Sequence, residues 1–251
     1  MTAWTHRLPQ PLRDVCEYAA FAWVMLALGL GFLLASLFGA VAQHLLPERL
    51  RIPCGQAVVF HGFRFGLWSM RVTGLVQLDL QALDALRHER GLVVAPNHPS
   101  LLDVVLVASR VPHVVCILKA GLLENPLLGG SARLAGYIRN DAPLPLVRQA
   151  CEALRAGSNL LVFPEGTRTT GGTVGPFKGG FALMARQAGA PVQTVFIEGN
   201  TPYLGKGWPI WRKPPLPLVY RARLGQRFNP VPPLPDLHAY YVAELSPKGA
   251  G

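Results

Sequence analysis

The chain predicts an α/β fold: a mixed, largely parallel sheet flanked by helices, preceded by an N-terminal hydrophobic membrane helix or helical hairpin. Three observations predict it. Short apolar runs at 91–96, 113–118, 159–163, 191–197 and 217–224 alternate with helical-looking segments at 100–110, 126–135, 144–156 and 178–188, the pattern of a sheet covered by helices. Residues 18–42 are 25 consecutive positions without a charged side chain, long enough to cross a hydrocarbon layer. Two polar motifs directly follow apolar runs, and sites in such sheets gather beyond the strand carboxyl ends.

At 251 residues the chain suits one domain with a terminal extension better than two full domains. It divides into a membrane-associated segment at 1–50, the main domain at 51–230 and a Pro-rich tail at 231–251. The 18–42 stretch is too long for a signal peptide, and acidic Asp14 and Glu17 precede it. A buried helix of a soluble core is the alternative, although such helices usually carry a polar stripe. Arg7 and Arg13 precede the stretch and Arg49 and Arg51 follow it, so basic flanks set no topology. Two short pieces meeting near Gly29 and Gly31, dipping into one leaflet, fit as well as a span.

The first motif, Asn97-His98-Pro99-Ser100-Leu101-Leu102-Asp103, leaves the run 91–96. A spacing of five residues would hold His98 and Asp103 about 140° apart on one helix. Pro99 changes this: it biases His98 toward an extended conformation and suits a first helical position, so Asp103 lies in the opening turns. The carboxylate then reaches one imidazole nitrogen and leaves the other to accept a proton from an alcohol. Ser100-Leu-Leu-Asp103 also fits a capping box, so for Asp103 alone capping and catalysis both stand. Ser100 is read as a turn or cap residue, because no Gly-x-Ser-x-Gly elbow surrounds it.

The second motif, Phe163-Pro164-Glu165-Gly166-Thr167-Arg168, leaves the run 159–163. Gly166 allows the backbone to approach a ligand, and Arg168 offers a planar fork suited to two phosphate oxygens. Lys178 adds positive charge. Singly, each charge reads as ordinary surface or a salt-bridge partner; the string behind a buried-type strand reads as a site.

These motifs resemble those of the glycerolipid acyltransferases, a family with a His-x4-Asp motif matched by His98 and Asp103 and a Glu-Gly-Thr-Arg motif matched by Glu165, Gly166, Thr167 and Arg168. The likeness covers roughly residues 70–225. Ala190 to Ile197 is similar to the family's fourth block, an apolar strand with a Pro. The resemblance implies that His98 deprotonates an acceptor hydroxyl, that Asp103 orients it, and that the hydroxyl attacks the thioester of acyl-coenzyme A or acyl-carrier protein. Glu165, Gly166 and Arg168 would belong to the acceptor-binding region, with Arg168 on the acceptor phosphate. The implied acceptor is a lysophospholipid such as 1-acylglycerol-3-phosphate, and the implied setting is a cytoplasmic domain held against a bacterial inner membrane. No cofactor beyond the acyl thioester is expected. One departure concerns the acceptor: the second block reads Gly136-Tyr-Ile-Arg139-Asn-Asp141, with Arg139 displaced toward the Gly. Arg139 remains a candidate for acceptor binding. Another lipid or a secondary metabolite as acceptor, or a catalytically silent membrane-binding protein on the same fold, are the competing readings.

Formal charge is +10, which beside an apolar segment points to an anionic bilayer and anionic substrates. Lys and Arg are scattered without a nucleic-acid motif, so no nucleic-acid partner is expected. Cys16, Cys54, Cys116 and Cys151 form no C-x-x-C pair, and His61, His88 and His113 lack companions at metal spacing; neither a zinc site nor a disulfide framework is expected. Trp208, Trp211, Arg212 and Lys213 fit either a lipid headgroup interface or a Pro-rich loop packed on the domain. From Pro230 onward little regular structure is expected.

Overall fold

The apolar runs form strands because both their faces are covered. Val93–Pro96 is buried throughout, with Val94 in one core cluster and Val93 and Ala95 in another, as alternation between two helical layers requires. The computed structural model describes residues 9–169 and 174–246. Its strands are β1 (Val76–Asp79), β2 (Val93–Pro96), β3 (Val114–Leu118), β4 (Ile138–Arg139), β5 (Asn159–Leu161), β6 (Val192–Gly199) and β7 (Leu218–Phe228). They form one sheet in the order β1-β7-β6-β2-β5-β3-β4. Only β6 and β7 pair antiparallel, so the sheet is mixed and mostly parallel, as the sequence predicts.

One face is covered by α1 (Gln10–Leu45), α2 (Glu48–Val72) and α3 (Leu102–Ala108), through Phe21, Val24, Leu67, Met70, Leu102 and Leu106. The other is covered by α6 (Pro143–Arg155), α7 (Gly180–Ala188) and α8 (Leu234–Leu245), through Leu154, Phe181, Met184, Leu237 and Tyr241. Short helices α4 (Ala120–Leu123) and α5 (Gly129–Leu134) lie between β3 and β4. Because β2 and β5 are neighbours with Val94 opposite Leu161, the two motifs leave the sheet side by side.

Helix α1 runs unbroken through Gly29 and Gly31, so the two-piece arrangement is not adopted. By length and composition it can cross a membrane, and Leu26, Leu30, Leu34, Leu37 and Val41 are exposed on it. At about 1.5 Å per residue, its 36 residues exceed the roughly 30 Å of a hydrocarbon core. Backbone contact docks it on the domain: a Cβ on Gly39 would stand 2.5 Å from the Gly130 carbonyl carbon, and one on Gly130 would stand 1.9 Å from the Ser36 carbonyl oxygen. The Gly130 amide donates to Ser36 Oγ at 2.9 Å. Gly55 of α2 meets Leu134 and Ala135 in the same way.

The C-terminal expectation needs correction. Leu234–Leu245 is a helix, with Leu237 and Tyr241 buried and the Tyr241 hydroxyl donating to the Ala95 carbonyl of β2. Pro233 stands just before the helix and Pro235 in its first turn, where a missing N–H does no harm. The segment after Asn200 packs on the domain at Trp208, whose ring meets Tyr203 edge-on, and at Lys213, which pairs with Glu17 of α1 at 2.6 Å; Trp211 is exposed. Arg7 and residues 248–251 lie outside the described residues. Leu237→Ala should destabilise the fold by about 2–5 kcal/mol in urea unfolding; a free tail would show no change.

Candidate active site

Three devices shape the turn after β2. The Asn97 side chain accepts from the Ile197 amide at 2.7 Å and donates to the Ile197 carbonyl at 3.0 Å, extending the pairing of β2 with β6 past the last backbone rung. Ser100 Oγ accepts from the Leu102 amide at 3.1 Å and donates to the Tyr203 carbonyl at 2.8 Å. Asp103 Oδ2 accepts from the Ser100 amide at 2.7 Å and lies 3.0 Å from His98 Nδ1. Capping and imidazole pairing, which compete in the sequence, thus share one oxygen. The His98 ring also stacks on Phe163, with centroids 3.7 Å apart and planes 16° apart. An ionised carboxylate accepts only, so neutral His98 carries its proton on Nδ1 and presents Nε2 as the acceptor.

The second motif reaches the same place. Thr169 N donates to the His98 carbonyl at 2.7 Å, binding the two loops directly. Glu165 is buried, and its carboxylate serves its own loop, accepting from Thr169 Oγ1 at 2.7 Å and the Gly175 amide at 2.9 Å. Gly166 adopts φ +64°, and a Cβ there would stand 2.7 Å from Lys178 Cδ, so the Lys178 chain lies across it. Thr167 is exposed. Arg168 Nη1 donates to the carbonyls of Leu204 and Gly205 at 2.9 and 2.8 Å. The first motif braces the same turn, since the Leu101 amide donates to Leu204 O at 3.2 Å.

Arg139 stands apart. Its strand is three places from β2 in the sheet, about 14 Å at ordinary strand spacing, and its guanidinium pairs with Asp141 at 2.7 Å and Glu124 at 3.5 Å. Phe163, Asn97 and the 203–205 turn are site elements that motif reading passed over. Asn97 and Phe163 were visible as the residues flanking His98 and Glu165; the turn carried no signal. A surface pocket lined by Asp79, Glu198, Arg221, Arg223 and Glu244 contains none of the site residues, and its arginines are paired with its acids. Among the described residues no three His, Cys, Asp or Glu side chains cluster as metal ligands do.

A family model described as Acyltransferase matches residues 77–198, a range that contains both motifs. Over that range the chain is similar to the acyltransferases. The chain is 28% identical over 210 residues to 1-acyl-sn-glycerol-3-phosphate acyltransferase of Pseudomonas aeruginosa, covering 79% of this chain and 76% of that one. It is 30% identical over 148 residues to the chloroplastic 1-acyl-sn-glycerol-3-phosphate acyltransferase BAT2 of Brassica napus, covering 56% of this chain. The match spans less than half of that relative, 43%. A lyso-ornithine lipid O-acyltransferase of Pseudomonas aeruginosa is 31% identical over 150 residues, covering 55% of this chain and 57% of that one. In fold, the chain matches the crystal structure of PlsC, the 1-acyl-sn-glycerophosphate acyltransferase of Thermotoga maritima, with a TM-score of 0.70 at 21% identity, over 97% of this chain and 100% of that one.

Burial raises the Asp103 carboxyl above its ordinary range; the bonds from His98 and the Ser100 amide oppose this, and Glu165 adds a smaller rise. A folded-state pKa above the unfolded value means that the folded protein holds the proton more tightly, so this group takes stability away as pH rises through that interval. Asp103→Asn should therefore match or exceed the parent in urea stability near pH 7, with the gap narrowing toward about pH 4. A variant equally weakened at every pH would mark Asp103 as a helix cap alone.

Proposed function

We propose that this chain transfers a fatty acyl group from a thioester, acyl-coenzyme A or acyl-carrier protein, to a hydroxyl of a lysophospholipid acceptor of the 1-acylglycerol-3-phosphate type. The observation that carries the reading is the His98 ring. It is locked by Asp103 and Phe163, it presents Nε2, and it is bonded through its own carbonyl to the Glu165–Thr169 loop.

In this mechanism Nε2 takes the acceptor's hydroxyl proton as the oxygen attacks the thioester carbonyl. The C–O bond forms, the C–S bond breaks, and the departing thiolate recovers the proton from the imidazolium. Asp103 stabilises that imidazolium without taking a proton. The ester forms directly, with no acyl-enzyme. Arg168 Nη1 is spent on carbonyls, and its remaining N–H groups are available to the acceptor phosphate, with Lys178 adding charge above Gly166. Glu165 and Thr167 act through the loop: the first holds it and the second lines its exposed edge.

Membrane attachment belongs to the same proposal. The apolar exposed face of α1, with Phe65 and Trp68 on α2, suits the bilayer from which such acceptors come, and the setting is the cytoplasmic face of a bacterial inner membrane. A second acceptor class, a lysolipid with an amino-acid-derived headgroup, draws support from the likeness to the lyso-ornithine lipid O-acyltransferase.

Purified protein offered lysophosphatidic acid and an amino-headgroup lysolipid, each with acyl-coenzyme A and acyl-carrier protein, should yield one acylated product by mass spectrometry. No product with any pair would favour a silent membrane-binding protein. His98→Ala should lower turnover by about 10²–10⁴-fold with the melting temperature retained. Arg168→Ala should raise KM for the acceptor more than for the donor; the reverse would assign the guanidinium to the donor.

A further inference from the structure

Two buried polar atoms near the dyad have no hydrogen-bond partner among the described residues: Asp103 Oδ1 and the Tyr220 hydroxyl. Asp103 is 0% and Tyr220 1% exposed. A buried carboxylate oxygen without a donor costs far more than a paired one, and an acceptor and a donor orphaned in the same region point to a shared use.

Sheet register places them together. The Asn97 amide ties the His98 turn to Ile197 of β6. Gly199 lies two residues further along β6 and so faces the same side as Ile197, the side on which Leu102 and Leu106 of α3 pack. Tyr220 of β7 is the register partner of Gly199, and its ring occupies the space a side chain would need there: a Cβ on Gly199 would stand 2.9 Å from Tyr220 Cε1. Tyr220 belongs to the cluster of Leu102, Leu106, Ile197 and Tyr203. Glycine at 199 therefore lets the phenol lie over β6 toward the opening turn of α3. Burial pushes the phenol up to about 12; the nearby Ser100 hydroxyl, which does not reach hydrogen-bond geometry with it, works the other way, and Asp103 and Tyr203 add smaller rises, so it remains a proton donor throughout the neutral range.

We infer that Tyr220 is a positioning residue of the catalytic dyad, its hydroxyl supplying the hydrogen bond that Asp103 Oδ1 lacks, through a single bridging water enclosed between β7 and α3. Oδ2 is already shared by His98 and Ser100, so the carboxylate has a free direction of rotation only about Oδ1. Pinning that oxygen fixes the Oδ2–Nδ1 contact and with it the direction in which Nε2 points. Such a site supplies a water with the polar partners it needs. The groups facing Asp103 are His98 and the Ser100 amide from the β2–α3 turn, Glu165 from the β5–α7 loop, and Tyr220 from β7; of these the Tyr220 hydroxyl has no hydrogen-bond partner among the described residues.

The inference rests on His98 and Asp103 acting as the base, and the test separates the two. In Tyr220→Phe, kcat should fall about tenfold with both KM values within twofold of the parent, a loss on the scale of one hydrogen bond to a charged group. The carboxylate, deprived of a donor, titrates higher, so the acid limb of kcat/KM should move up by about one pH unit. Tyr137→Phe removes another buried unpartnered hydroxyl, beside β4, and should leave that limb in place. An unchanged limb and kcat in Tyr220→Phe, with His98→Ala inactive, would overturn the role of Tyr220 while sparing the base. An active His98→Ala would overturn the base itself. Equal pH shifts in the two Tyr variants would mark a general loss of packing and also overturn the role.

Discussion

A carboxylate oxygen taken out of water with two donors on it, Asp103 Oδ2 between the His98 ring and the Ser100 amide, is the contact from which the other geometry of the site follows. One oxygen closes the first turn of α3 through the Ser100 amide and orients the imidazole through Nδ1. Burial raises the cost of the charge, and the same burial strengthens its hold on an imidazolium when one forms. A single acidic side chain therefore serves helix initiation and ring orientation together, and the capping and catalytic readings of the motif describe the same atoms.

The second constraint is the turn at 202–205, which touches both motifs and belongs to neither. Ser100 Oγ reaches Tyr203 O, and both the Leu101 amide and Arg168 reach Leu204 O. Leu204 holds a positive φ of 55°, a conformation that branched or bulky side chains resist, and the close packing of Gly205 on the Pro202 carbonyl leaves no room for a Cβ. Backbone carbonyls thus perform a task that motif reading assigned to a ligand: they hold one end of the Arg168 guanidinium. Glu165 is turned inward in the same way, its charge spent on keeping its own loop closed.

Much of the sheet was legible because its strands are continuous apolar runs bounded by polar turns, and β2, β3, β5, β6 and β7 all correspond to such runs. The elements that escaped share a physical cause. Helix α2 carries Arg49, Arg51, Arg64 and Arg71 with Pro53 in its interior, so neither a clean stripe nor a break marks it, and its stability comes from packing on α1 and α5. Strands β1 and β4 have four and two residues, too short to show a period. Helix α8 was hidden by its prolines, which are tolerated because they fall at its start. In the site, the two motifs were visible from residue type and spacing. The Asn97 bridge, the Phe163 stack and the 202–205 brace depend on residues about 35 to 105 positions apart and emerge only when the sheet order is known.

The close approach of α1 to α5 has a mechanical consequence. Where Gly39 meets Gly130, main chain rests on main chain, without a flexible side chain between to yield. Lys213 ties the far portion of the same helix to the loop that follows the 202–205 brace. The long apolar helix and the sheet edge that bears His98 therefore form one rigid body. If that helix is seated in lipid, the level of the imidazole relative to the leaflet is a constant of the architecture, and any partner drawn from the bilayer would have to come to the ring rather than the ring to it.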